Sequence, residues 1–79
     1  MAKQDLGQEK DARLPAIGNK LKTMRLAQGY TSAETFAYEN SLNRVSYWRI
    51  ENGQNFTLKM LLKILDIHHT SLEEFFRGL

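Results

Sequence analysis

The chain has no cysteine, which excludes disulfide frameworks and thiolate zinc sites and leaves packing and helix capping to stabilise it. Long apolar runs are missing too: no stretch approaches the roughly 20 residues that cross a bilayer, so no membrane partner is expected. The segment from Met1 to Arg13 mixes Lys3, Lys10 and Arg13 with Asp5, Glu9 and Asp11. It lacks the apolar stretch of a secretory signal, and a cytoplasmic location is the expectation. No serine lies in a nucleophile motif, even though Asp66 and His68 are available as partners, so no enzyme is expected. His68 and His69 are adjacent without a third ligand and read as structural; neither a metal nor a cofactor is expected.

A large charge of one sign is also absent, the formal net charge being +2. Its distribution is more informative. Residues 17–63 hold Lys20, Lys22, Arg25, Arg44, Arg49, Lys59 and Lys63 against Glu34, Glu39 and Glu51, whereas residues 64–79 hold Arg77 against Asp66, Glu73 and Glu74. A positive middle segment suits a polyanionic partner if folding gathers its bases on one side. An ordinary solvated surface is the plain alternative.

What is present is helical. The 79 residues, 42% of them hydrophobic, suffice for one folded domain and not two. Leu14, Ile17, Leu21 and Met24 mark one face of a first helix over about 15–28, with Pro15 in its first turn and Gly29 as its stop. Thr31 or Ser32 opens a second helix, about 32–40. Thr31 with Glu34 has capping-box spacing, and Phe36 and Ala37 face inward. Asn40-Ser41-Leu42-Asn43 reads as a turn, with Asn43 as N-cap of a third helix from Arg44 to about Asn52 that stops at Gly53. Thr57 caps a fourth helix whose Leu58, Leu61, Leu62 and Leu65 have i, i+3, i+4, i+7 spacing. Ser71 and Glu74 open a fifth, with Leu72, Phe75 and Phe76 inward and Gly78 beyond its end. The expectation is an all-α, compact five-helix domain over 14–79 behind an arm over 1–13 that is flexible or partly ordered.

The second and third helices, separated by about four residues, carry the functional argument. A tight turn sets two helices at a steep angle, so that the second projects while the first braces it. A helix about 12 Å wide matches the major groove of B-DNA. With Tyr47 inward, steps of about 100° put Ile50 and Glu51 inside and Val45 and Arg49 opposite. Trp48 and Asn52 lie on one flank and Ser46 on the other. Arginine reads guanine bidentately, an apolar side chain meets a thymine methyl, and serine or asparagine serves base or phosphate.

The stretch from Ile17 to Phe76 resembles the phage-repressor, Cro-like (xenobiotic response element) helix-turn-helix family. The nearest likeness is Arg49-Ile50-Glu51-Asn52-Gly53. Ile17-Gly18-Asn19-Lys20-Leu21 with Arg25 and Gly29, Leu61-Leu62-Lys63-Ile64-Leu65, and Ser71-Leu72-Glu73-Glu74-Phe75-Phe76 are similar as well. The resemblance implies a lambda-repressor-like fold and sequence-specific binding of double-stranded DNA by a transcriptional regulator. It implies base contacts from Arg44, Val45 and Arg49, with Ser46 and Trp48 as further candidates. Phosphate contacts fall on Asn52, Gln54, Asn55 and Lys59, and Arg25 pairs with Glu51. Three positions depart from the family pattern. Ala33 stands where glutamine is common, one extra residue lies between Gly29 and the second helix, and Ser41 occupies a turn position usually filled by glycine. That turn requires Ser41 or Asn40 to adopt a left-handed conformation.

A single module of this size makes few phosphate contacts, so a homodimer is expected, at the latest on DNA, in a nucleoid-associated setting. Phe75, Phe76 and Leu79 read as core closure or as a dimer surface. Tyr30, Phe36 and Tyr38 read as core or rim packing. The rival reading is a protein-interaction module, such as an antitoxin, in which Trp48 anchors a protein partner.

Overall fold

Four of the five helices begin at a side chain that accepts a backbone N–H. In the computed structural model, which describes residues 11–79, the helices are α1 (Arg13–Ala27), α2 (Ala33–Glu39), α3 (Arg44–Glu51), α4 (Leu58–Ile67) and α5 (Leu72–Phe76). Ser32 Oγ accepts from the Thr35 amide at 3.1 Å, Asn43 Oδ1 from Ser46 at 2.9 Å, Thr57 Oγ1 from Met60 at 3.1 Å and Ser71 Oγ from Glu74 at 3.0 Å. Such caps are each worth about 1 kcal/mol, a large share of what helices this short can hold. The α1 N-cap, Ala12, has no side chain to offer. Asp11 substitutes, accepting from the Arg13 amide at 2.9 Å and from its guanidinium at 2.9 and 2.7 Å. Those bonds hold the Asp11 carboxyl at about 2, below its ordinary 3.8.

Phe36, Tyr47, Phe75, Leu21, Ile50, Leu61, Ile64 and Leu65 are fully buried and form the core with Ile17, Ala37 and Leu42. Every helix contributes, and no strand occurs among the described residues. The described residues form a small, compact all-α domain of five helices.

The expected outline needs correcting at several points. Helix α1 starts at Arg13, so that residue belongs to the domain and not to the arm; residues 1–10 of the expected arm lie outside the described residues. The α2 cap is Ser32 and not Thr31, and Glu34 reaches away to Arg44 instead of closing a box. In α4 the inward residues are Leu61, Ile64 and Leu65, while Leu58 and Leu62 are exposed. In α5 only Phe75 is buried; Leu72 and Phe76 lie outside, because five residues make little more than one turn. Tyr38 packs in neither core nor rim, being 82% exposed.

Between α2 and α3 it is Ser41 that adopts the left-handed conformation, with φ 59°, at a cost of about 1 kcal/mol against glycine. The turn is held by Leu42 N–H donating to the Ala37 carbonyl at 2.8 Å and by Lys63 Nζ donating to the Ser41 carbonyl at 3.2 Å. The extra residue after Gly29 also has a place. Tyr30 stands edge-on to Phe36 with ring centroids 5.1 Å apart, and its hydroxyl donates to Glu39 at 2.9 Å.

Candidate nucleic-acid interface

Helix α3 is divided sharply between two faces. Tyr47 and Ile50 are 0% and 1% exposed, whereas Val45 and Trp48 are each 53% exposed. Arg44, Ser46 and Arg49 are exposed as well. The candidate base-reading residues Arg44, Val45, Ser46, Trp48 and Arg49 therefore share the solvent side of one short helix.

Three arrangements hold that helix in place. In the first, α1 runs so close to the end of α3 that a Cβ on Gly18 would stand 2.3 Å from the Ile50 carbonyl oxygen and 2.8 Å from that of Glu51. Only glycine permits this approach, because both obstacles are backbone. In the second, Arg25 and Glu51 join α1 to α3 through a two-pronged pair, Nε to Oε2 at 2.7 Å and Nη2 to Oε1 at 3.0 Å. Both side chains are buried, and Arg25 Nη1 also donates to the Tyr30 carbonyl at 2.7 Å. The hydrogen bonds it donates to Glu51 raise the Arg25 pKa, so the guanidinium stays charged. The third is the buried Tyr47 ring, 5.1 Å from that of Phe36. Burial, and then the Glu51 carboxylate, push its phenol above the usual tyrosine range and keep it neutral. Its hydroxyl has no hydrogen-bond partner among the described residues.

Beyond α3 the chain turns at Gly53, whose φ of 80° suits glycine and where an added Cβ would stand 3.1 Å from Pro15 Cγ of α1. Gln54, Asn55 and Lys59 are all exposed after this turn. The Gln54 amide donates back to the Arg49 carbonyl at 2.9 Å, and Asn55 Oδ1 accepts from Phe56 at 2.9 Å, so the loop has a defined shape. Asn52 is less available than expected. One of its amide N–H groups already donates to the Trp48 carbonyl at 2.8 Å, leaving one for a phosphate. Arg49 and Lys59 are exposed and form no ion pair with any described residue. Ala33 is half-buried against the core and makes no polar contact there.

Two features of this region went unread in the sequence. Arg44 pairs with Glu34 of α2 across the turn, a contact hidden because Glu34 also fits a capping box. Gly18 as a contact point had a usable signal, since a glycine inside a helix costs about 1 kcal/mol and points to a close approach. Of the two histidines, His68 packs into the fold: it stacks on Phe36 at 5.5 Å, and its Nδ1 shares a hydrogen bond with Gln28 Nε2 at 2.9 Å, whereas His69 is exposed. Burial lowers its pKa and favours the neutral ring. No group of metal-ligating residues occurs among the described residues.

No family model matches this chain, and neither a curated protein nor a solved structure was found to be significantly similar.

Proposed function

We propose that the protein is a sequence-specific double-stranded DNA-binding regulator of transcription, with α3 as its recognition helix in the major groove. The observation that carries this is the split of α3. Arg44, Val45, Ser46, Trp48 and Arg49 face solvent together, while Tyr47, Ile50 and the buried Arg25–Glu51 pair fix the helix from behind. Arg49 and Arg44 are suited to guanine O6 and N7, Val45 to a thymine methyl, and Ser46 and Trp48 to adjoining base or sugar edges. Asn52, Gln54, Asn55 and Lys59 would supply phosphate contacts from the helix end and the loop that follows. Operation as a homodimer, with half-sites one helical turn (roughly 34 Å) apart, would raise the number of contacts. The exposed Phe76 and Leu79 support such a second copy.

In vitro selection of random duplexes by the purified chain at moderate salt tests this reading. An enriched palindrome is expected, and Arg49→Ala should then lose about 1–3 kcal/mol at the selected site and loosen choice at one base pair. Recovery of no motif would defeat the proposal. A protein-interaction module or antitoxin is the second reading, favoured by the 53% exposure of Trp48 and the 82% exposure of Tyr38. A co-purifying protein that protects Trp48, together with failed selection, would favour it.

A further inference from the structure

Resting on the reading of α3 as a recognition helix, we infer that Glu34 determines specificity, by positioning Arg44 for a base edge and withholding it from phosphates. Arg44 is the first residue of α3, at the positive end of the helix dipole, where a cation is repelled and nothing on its own helix retains it. A long, free guanidinium beside DNA is drawn to the nearest phosphate, a contact that carries no sequence information. Glu34, from the first turn of α2, prevents that. Its Oε2 accepts from Arg44 Nη1, and the two side chains remain 64% and 67% exposed.

That bond occupies one nitrogen of the guanidinium. The edge formed by Nε and Nη2 stays free, and this is a fork that fits guanine O6 and N7. Val45 and Trp48 complete the setting, lining with Glu34 and Arg44 an open hollow of about 360 Å³. Arg44 is thus tied to a carboxylate on α2 at the edge of a hollow that Val45 and Trp48 also line. An exposed ion pair adds little to stability, so its consequence lies in where the guanidinium is kept. The carboxylate also repels the phosphate backbone, lowering affinity for selected and unselected sequences alike, so discrimination comes from the fork.

The test measures binding of the full chain to its selected duplex and to a scrambled duplex over about 50–200 mM salt. Glu34→Gln should leave the melting temperature unchanged. It should tighten binding to the scrambled duplex several-fold, steepen the slope of log K against log salt by about 0.9, and reduce the ratio of selected to scrambled affinity about ten-fold. In an Arg44→Ala background the same substitution should leave that ratio within about two-fold, which a purely structural role at the start of α2 would not predict. An unchanged slope and ratio in Glu34→Gln overturns the inference and leaves DNA binding intact. So does a fall in the ratio that persists without Arg44. A wild-type chain that prefers no duplex overturns the recognition-helix reading itself, and this inference with it.

Discussion

The junction of α1 with α3 and the outer end of α5 are built on opposite terms. At the junction, contact is close and partly polar: Gly18 lies against two carbonyls of α3 and the buried Arg25–Glu51 pair closes the seam. At the α5 end, contact is apolar and open. Phe76 and Leu79 are 41% and 50% exposed, and a groove of about 400 Å³ runs between them and Leu14, Ala16 and Ile17 of α1. The helix is only five residues long, and its last carbonyls depend on a reach from elsewhere: Lys20 Nζ donates to the Phe75 carbonyl and lies 5.1 Å from the centre of its ring. Buried charge tolerates no misplacement, so the first region has one geometry. The second, held by apolar area and a single lysine reach, has latitude. The precise seam is the one behind the exposed face of α3.

The sharpest way to break the contrast is to remove one charge of the pair. Glu51→Gln should cost about 3–5 kcal/mol, because Arg25 is left buried and unpaired. Replacing both, as Arg25→Met with Glu51→Leu, should recover most of that in chemical denaturation. A loss below 1 kcal/mol in the single variant would mean the seam is wetter than its burial indicates. Gly18→Ala comes next, with an expected loss of about 2–3 kcal/mol, since a methyl group cannot share space with the Ile50 and Glu51 carbonyls. Amide shifts along α3 in the spectrum of the variant would locate the displacement, and shifts confined to α1 would contradict it.

Acid should act on the other side of the core. His68 is half-buried and its pKa is lowered, so the unfolded chain binds a proton below its ordinary 6.5 that the folded chain resists. This contribution is complete above pH about 6.5 and declines as pH falls below it. His68→Phe should flatten the stability profile as pH falls below that point. The Asp11 contribution cannot be confused with it, because that is lost only as pH falls below 3.8. The smallest effect belongs to the open end. Phe76→Ser should cost about 1 kcal/mol, most of it the edge contact with Phe75, and a loss above 3 kcal/mol would put α5 on a par with the seam.

The two regions also differ in how readily the sequence disclosed them. Helix α3 has polar and apolar residues in nearly equal measure, so a wheel centred on Tyr47 separated its faces. Its cap at Asn43, its stop at Gly53 and the Arg25–Glu51 partnership could be anticipated too. Helix α4 is apolar almost throughout, and two sets of leucines satisfy helical spacing equally well. The better guide there was its polar arc. Lys59, Lys63 and Asp66 fall within about 60° of one another, directly opposite Leu61 and Ile64. In α5 the period could not decide, because one turn offers no repeat. The Glu34–Arg44 bridge and the left-handed Ser41 depend on how two helices meet, which no spacing within either one contains.

Gly18 has a consequence for how such a face could change. Because the main chain of α1 abuts the main chain of α3 at Gly18, the seat of the helix is set from behind, by that backbone contact together with the buried Arg25–Glu51 pair and Tyr47. The five outward side chains play no part in that registration. Under the proposed function, rewriting them should alter what is read without moving the helix, which would suit this scaffold to retargeting by exchange of a handful of surface residues.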